Sequence, residues 1–280
     1  MKHNSRYSDP EGVLYLSDAI SLLKRIEPGS VEMIYTDPPF FSNRILKHPE
    51  GTRFARASFN DLWGNMASYI SWMDVFLRLS RRALSDNGSI FVHLDWHACH
   101  YVKVRMDRIF GYDNFVNEII WSYRTGGTSS RRFSRKHDNI LFYSKGPGYV
   151  FHPGVERSYV KYKYGFSNIV IRRDERGYYT EVSPRDVWDI PALRGNQPEN
   201  THYPTQKPES VVERMVLATT NENGLVADFL CGSGTLPAVA ARTGRRWIAS
   251  DSSPHAFEVA VQRLDAVYAG RRDLVASIPR

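Results

Sequence analysis

Asp37-Pro38-Pro39-Phe40 is the stretch of this chain best suited to carry out chemistry. Two consecutive prolines fix φ twice and remove two backbone donors, leaving a stiff loop of acceptors. These are the Asp37 carboxylate and the neighbouring carbonyls, with Phe40 supplying an aromatic face beside them. Acceptors without competing donors, next to a flat ring, suit a planar group carrying an NH2, such as the exocyclic amine of a nucleobase. The same four residues could form an ordinary strand-ending turn, with Asp37 capping and Phe40 packing. The rest of the chain tips the balance toward the first reading.

Elements that would position this loop are visible on both sides of it. The apolar run Val31–Tyr35 reads as a buried strand, so the tetrapeptide leaves its carboxyl end. Far downstream, Leu225–Leu230 reads as another buried strand running into Cys231-Gly232-Ser233-Gly234-Thr235. A helix is expected over Leu236–Arg242, with Pro237 tolerated in its first turn and Gly244 ending it. Strand, glycine loop and helix together bring backbone N–H groups up to a ligand. The strand Trp247–Ser250 then ends in Asp251, an acid where nucleotide sites bind ribose hydroxyls. Leu236 follows Thr235, so the Lys-Ser/Thr ending of a phosphate loop is missing. Pro237 stands where a dinucleotide fingerprint has its third glycine. An adenosine derivative without phosphates fits better than a phosphate ligand, and S-adenosylmethionine is one.

Taken with YPTQKPESVVERM at Tyr203–Met215, these stretches make the chain resemble the β-class DNA amino-methyltransferases of bacterial restriction–modification and orphan systems. SDAISLLKRIEPGSVEMIYTDPPF, DFLCGSGTLPAVAARTGRRWIASD, SDNGSIFVHLD, FGYDNFVNEIIW and HDNILFYSK carry the likeness over nearly the whole length. The resemblance implies an α/β, Rossmann-like S-adenosylmethionine-dependent fold in permuted order, the catalytic motif preceding the cofactor motif. It implies a cofactor site around Asp18, Asp228, Gly232, Gly234 and Asp251, with Leu230, Cys231, Ser233 and Thr235 from the same loop. Thr205, Gln206, Lys207 and Pro208 would join that site from the start of the next helix. Two residues depart from the family pattern. Leu230 stands where an aromatic ring is usual before the glycine loop, and Phe40 replaces the more frequent Tyr.

The chemistry follows from the residues themselves. A nucleobase amine is a poor nucleophile because its lone pair is delocalised into the ring. Asp37 and a carbonyl near Pro38, gripping its two hydrogens, would rehybridise the nitrogen and aim the lone pair at a sulfonium methyl. Pro38 and Pro39 stiffen the grip, and Phe40 stacks on the base, a contact worth about 1–3 kcal/mol. Attack through a ring carbon would need a cysteine after proline, and neither Cys99 nor Cys231 follows one. The base must leave the duplex to be reached. With the resemblance, the expected reaction is methylation of adenine N6 in double-stranded DNA. Cytosine N4 is the alternative, although that branch tends to carry Ser in place of Asp37. A catalytically silent DNA-binding subunit is the reading from a different class. The resemblance also leaves room for a homodimer and for a cognate restriction endonuclease as partners.

The 280 residues carry a net charge of +7, which favours a polyanionic partner. Arg124, Arg131, Arg132, Arg135 and Lys136 cluster after Trp121 and are the expected DNA contacts. A second group, Arg157, Lys161, Lys163, Arg172, Arg173 and Arg176, is interleaved with tyrosines. Two cysteines give no disulfide framework, and the histidines show no metal-ligand spacing, so no metal is expected. The polar opening lacks a signal core and no stretch spans a bilayer, so the expected address is the cytoplasm, at bacterial or phage DNA.

Strands and helices alternate as an α/β sheet requires. Helices are expected over Ser68–Leu84, Trp96–Phe110, Ser210–Thr219 and Pro254–Tyr268, and further strands at Val13–Leu16, Ser89–Leu94, Phe115–Ser122 and Asn139–Tyr143. Residues 1–123 form the catalytic half and 201–280 the cofactor half. Residues 124–200 form a DNA-facing loop and target-recognition insertion, with strand 139–143 returning to the core sheet. From Pro147 to Asn200 the pattern reads as irregular. Phe41–Asp61 reads as a lid ordered by DNA, with Asn43, Arg44 and Lys47 near the flipped base.

Overall fold

A strand whose residues are nearly all buried must lie inside a sheet covered on both faces. Val31–Thr36 is such a strand, with only Glu32 partly exposed, and the molecule is built outward from it. The computed structural model describes residues 6–47, 58–123, 128–160 and 169–276. Its first half runs β1 (Arg6–Ser8), β2 (Gly12–Leu16), α1 (Ala19–Leu23), β3 (Val31–Thr36), β4 (Ile45–Lys47), β5 (Ser58–Asn60), α2 (Met66–Ala83), β6 (Leu84–Leu94) and α3 (Cys99–Phe110). Its second half runs β7 (Phe115–Ser122), β8 (His137–Ser144), β9 (Glu156–Val160), β10 (Arg172–Asp174), β11 (Gly177–Val182), β12 (Val187–Asp189), α4 (Glu209–Thr219), β13 (Leu225–Asp228), α5 (Thr235–Arg242), β14 (Arg246–Asp251) and α6 (Pro254–Ala276).

Nine strands form the main sheet, in the order β1-β2-β14-β13-β3-β6-β8-β7-β12. From β2 to β6 neighbours are parallel, while β8 runs antiparallel between β6 and β7. One face is covered by α1, α2 and α3, whose Leu22, Phe76, Leu77 and Val102 pack on Ile34, Ile90 and Val92. The other face is covered by α4, α5 and α6, with Val212, Val239 and Leu264 against Met33, Val226 and Trp247. The chain therefore leaves β3 toward one face and β13 toward the other, although the two strands are neighbours. Such a switch point opens a crevice beyond the carboxyl ends of the strands. Pairing of Ala227 with Ile34 brings Asp228 and the Asp37 loop to the same rim. Pairing of Thr36 with Val92 and of Leu94 with Asn139 brings the end of β6 and the start of β8 to it as well.

The structure differs from the sequence expectations at several places. The strand expected to reach Leu230 stops at Asp228, because the Asp228 Oδ1 accepts from Leu230 N (3.0 Å) and turns the chain there. The helix expected from Trp96 starts at Cys99, the Asp95 carboxylate first holding the His97 N–H (2.9 Å) in a turn. The stretch expected to be irregular after Pro147 contains a three-stranded antiparallel sheet, β10-β11-β9, and the short β12 that extends the main sheet beside β7. Only Tyr179 is buried in the small sheet, so its strands alternate without an apolar stripe to reveal them.

Candidate active site

The crevice holds a cavity of about 570 Å³. Asp37, Pro38, Pro39 and Phe40 line one side, and Asp228, Leu230, Cys231, Gly232, Ser233, Thr235 and Asp251 line the other. Asp18, Thr205 and Lys207 complete the wall from the β2–α1 turn and the approach to α4. Three residues expected at the cofactor do not line the cavity. Gln206 staples its own loop: Oε1 accepts from Thr201 N (2.8 Å) and Nε2 donates to the Glu199 carbonyl (2.7 Å). Pro208 is the buried residue before α4. Gly234 has φ +75°, and a Cβ there would come within 2.9 Å of the Ala260 Cβ, so it lets the loop close onto α6.

Lys207 lies at the Asp37–Phe40 loop as well as on the cavity wall beside the glycine loop. Its Nζ donates to Asp37 Oδ2 at 2.5 Å and stands 5.1 Å from the centre of the Phe40 ring. Among the described residues no hydrogen bond reaches Asp37 Oδ1. Across the cavity, burial pushes the Asp228 carboxyl well above its usual range; the Leu230 N–H opposes this, and the charges of Asp37 and Asp251 add to it. Burial also raises Asp251, against hydrogen bonds from Ser253 N (2.8 Å) and Gly232 N (2.9 Å). Two buried acids beside one cavity are suited to a ligand rich in donors. The ammonium and ribose hydroxyls of S-adenosylmethionine fit that requirement.

This arrangement has a measurable consequence. In the free protein Asp228 holds its proton above the ordinary carboxylate value of 3.8. An ammonium held against Asp228 would favour the anion, so such binding would expel that proton. Affinity for S-adenosylhomocysteine should therefore climb as pH rises from about 4 through the raised value, then level off. Titration calorimetry in buffers of different ionisation enthalpy should show proton release on the acid side. Asp228→Asn should bind more weakly and lose most of this pH dependence, Asp251 keeping the remainder; an unchanged pH profile would place the ammonium elsewhere.

Several supporting residues carry no motif. Behind Phe40, the fully buried His93 stacks on its ring (centroids 6.1 Å apart). Its Nδ1 meets the Tyr35 hydroxyl at 3.0 Å and its Nε2 meets Asp138 Oδ2 at 3.2 Å, while Tyr123 donates to Asp138 Oδ1 at 3.0 Å. Burial alone would raise Asp138, but the bond and charge of His93, with Lys207 and Tyr123, hold it below its usual range. Asp138 thus accepts at His93 Nε2, and the Tyr35 hydroxyl meets the other ring nitrogen. Such a locked imidazole fixes the floor under Phe40. The segment after Phe40 is held by Asp61, whose carboxylate accepts from Ser42 N (2.7 Å), Phe41 N (3.2 Å) and Trp63 Nε1 (2.9 Å). Arg263, pushed down to about 10 by burial, ties the glycine loop to α4 through Thr235 Oγ1 (3.1 Å) and Glu209 (2.5 Å).

The basic clusters divide. Arg131, Arg132 and Arg135 are exposed on the loop entering β8, and Lys136 is half-buried. The Arg135 guanidinium lies 3.7 Å above the Trp96 ring, which stacks on His97, a residue of the cavity wall. In the small sheet Arg157 pairs with Asp174 (2.9 Å) and Arg172 with Glu181 (3.5 Å), while Arg173 covers Tyr178. Arg44 lines the cavity, and Asn43 Oδ1 accepts from Trp63 N (3.4 Å). Arg124, residues 48–57 and 161–168, and the side chain of Lys47 lie outside the described residues.

Known proteins share both sequence and shape with this chain. The family model N6_N4_Mtase, described as DNA methylase, matches residues 31–262. The type II methyltransferase M.HpaI of Haemophilus parainfluenzae is 31% identical over 258 residues, covering 92% of this chain and 75% of that one. The DNA adenine methyltransferase YhdJ of Escherichia coli K12 is 27% identical over 272 residues, covering 93% and 85%. Among solved structures, the PvuII DNA methyltransferase, titled cytosine-N4-specific, superposes with a TM-score of 0.64 at 17% identity, covering 94% of this chain and 92% of that one. The structure titled M1.HpyAVI–SAM complex gives 0.57 at 18% identity, covering 90% and 98%. Sequence and architecture agree: this chain belongs to the N6_N4_Mtase family of DNA methylases.

Proposed function

We propose that the protein transfers a methyl group from S-adenosylmethionine to N6 of an adenine flipped out of duplex DNA. The observation that carries this is the convergence of Asp37-Pro38-Pro39-Phe40 and the glycine loop on one cavity, with Asp37 Oδ1 free of protein hydrogen bonds among the described residues. When bound, S-adenosylmethionine supplies a methyl on a sulfonium, open to an in-line nucleophile. The chain prepares that nucleophile. Asp37 Oδ1 and a carbonyl near Pro38 accept the two amine hydrogens, and the ring-locked backbone holds them at a fixed angle. Phe40, resting on His93, stacks on the base. Lys207 holds Oδ2, so Oδ1 is left to accept the hydrogen that leaves as the nitrogen is methylated.

Adenine is favoured by the acidic first residue of the loop and by likeness over most of both chains to a relative named as an adenine methyltransferase. Incubating the protein with DNA and labelled cofactor, then identifying the nucleoside by mass spectrometry, tests the reading. N6-methyladenine is the expected product. N4-methylcytosine would overturn the base assignment, and no modified base would overturn the activity.

The exposed arginines on the loop entering β8 should neutralise backbone phosphates. Replacing Arg131, Arg132 and Arg135 together by glutamine should weaken DNA binding and flatten the slope of log affinity against log salt by about 2–3. An unaltered slope would remove this loop from the interface.

A further inference from the structure

Among the described large apolar side chains, Phe133 is the most exposed, at 98%. It lies between the exposed Arg132 and Arg135 on the loop that enters β8. An apolar knob for another protein would ordinarily sit in an apolar patch; this one is flanked along the chain by Arg131, Arg132, Arg135 and Lys136, which suits a polyanion with apolar interior layers. Duplex DNA is that partner. The loop is also in the right place. The antiparallel register of β6 with β8 brings it to the sheet edge that carries Asp37. The Arg135 guanidinium packs over Trp96, whose ring stacks on His97 of the cavity wall, and Phe133 lies two residues from Arg135 on the same loop at this rim of the sheet.

We propose that Phe133 is a wedge that enters the duplex and fills the gap left by the extruded base. The inference rests on the base-flipping methyltransfer proposed above. Pulling a base from the stack forfeits its stacking, a loss of a few kcal/mol. Apolar side chains inserted at a base step recover part of that loss in proteins that unstack DNA. Phe133 would meet the vacated stack while Phe40 receives the base in the cavity, and the flanking arginines would hold the phosphates on either side.

The test compares wild type, Phe133→Ala and Phe133→Trp on duplexes carrying the methylated site found by sequencing DNA from expressing cells. In one duplex the target base is normally paired; in the other it faces an abasic residue, which removes the pairing to be broken. Phe133→Ala should lose about 10–100-fold in kcat/KM on the paired duplex and recover most of it on the abasic one. Phe133→Trp should keep near wild-type activity on both. Full activity of Phe133→Ala on the paired duplex, or an equal loss on both duplexes, would overturn the wedge. Failure of the wild type to methylate either duplex would overturn the underlying activity, a result distinct from both. The side chain is solvent-exposed, so the alanine variant should fold as the parent does.

Discussion

Replacing Asp37 by alanine should lower methyl transfer by about 10²–10³-fold, as expected when one preorganised partner of the reacting group is removed. Affinity for S-adenosylhomocysteine should change little, because Asp228, Asp251 and the glycine loop form the opposite wall of the cavity. The loss should fall on kcat, since the amine is gripped most tightly as it becomes a nucleophile. Lys207 needs a separate control. Its side chain is only 10% exposed, and removing Asp37 leaves its ammonium without that partner. Breaking a buried pair costs up to about 3–5 kcal/mol of stability, so thermal unfolding must be measured alongside turnover. Asp37→Asn keeps the shape and one acceptor oxygen, but adds a donor facing the amine; it should unfold near the parent and still turn over slowly. Wild-type kcat in a folded Asp37→Ala protein would show that this carboxylate does not hold the amine.

Gly232→Val should be as damaging, at the other wall. The glycine has φ +50°, where a β-branched residue is strongly disfavoured, and its Cβ would meet the Tyr203 ring at 3.2 Å. Either the loop shifts, misplacing the Gly232 N–H bonded to Asp251, or the new methyls project into the cavity. S-adenosylhomocysteine affinity should drop by about 100-fold or more, equivalent to about 3 kcal/mol. DNA binding should survive, since the arginine loop lies on the far side of β6. Calorimetry showing unchanged affinity would remove the loop from the cofactor site.

The parts of the site legible in the sequence are those where one short stretch determines the local geometry. Asp37-Pro38-Pro39-Phe40 is stiff whatever surrounds it, and Cys231–Thr235 sits between a clear strand and a clear helix. The rest depends on partners distant in the chain. His93 reads as an odd polar residue in an apolar strand; only the pairing of β6 with β8 delivers Asp138 to it. The reach of Lys207 to Asp37 crosses 170 positions and has no local signature. Asp61 looks like any polar residue in an irregular stretch, although a buried acid accepting four donors organises that stretch. A polar residue inside an otherwise apolar run was the available hint for His93, and the Tyr-rich alternation after Glu156 the hint for the small sheet.

The hydrogen bond from the Tyr7 hydroxyl to Asp265 (3.1 Å) ties the opening hairpin to the closing helix. Because α6 also packs on β2 and β14, the hairpin at this border of the nine-stranded sheet can peel away only if the helix lifts with it.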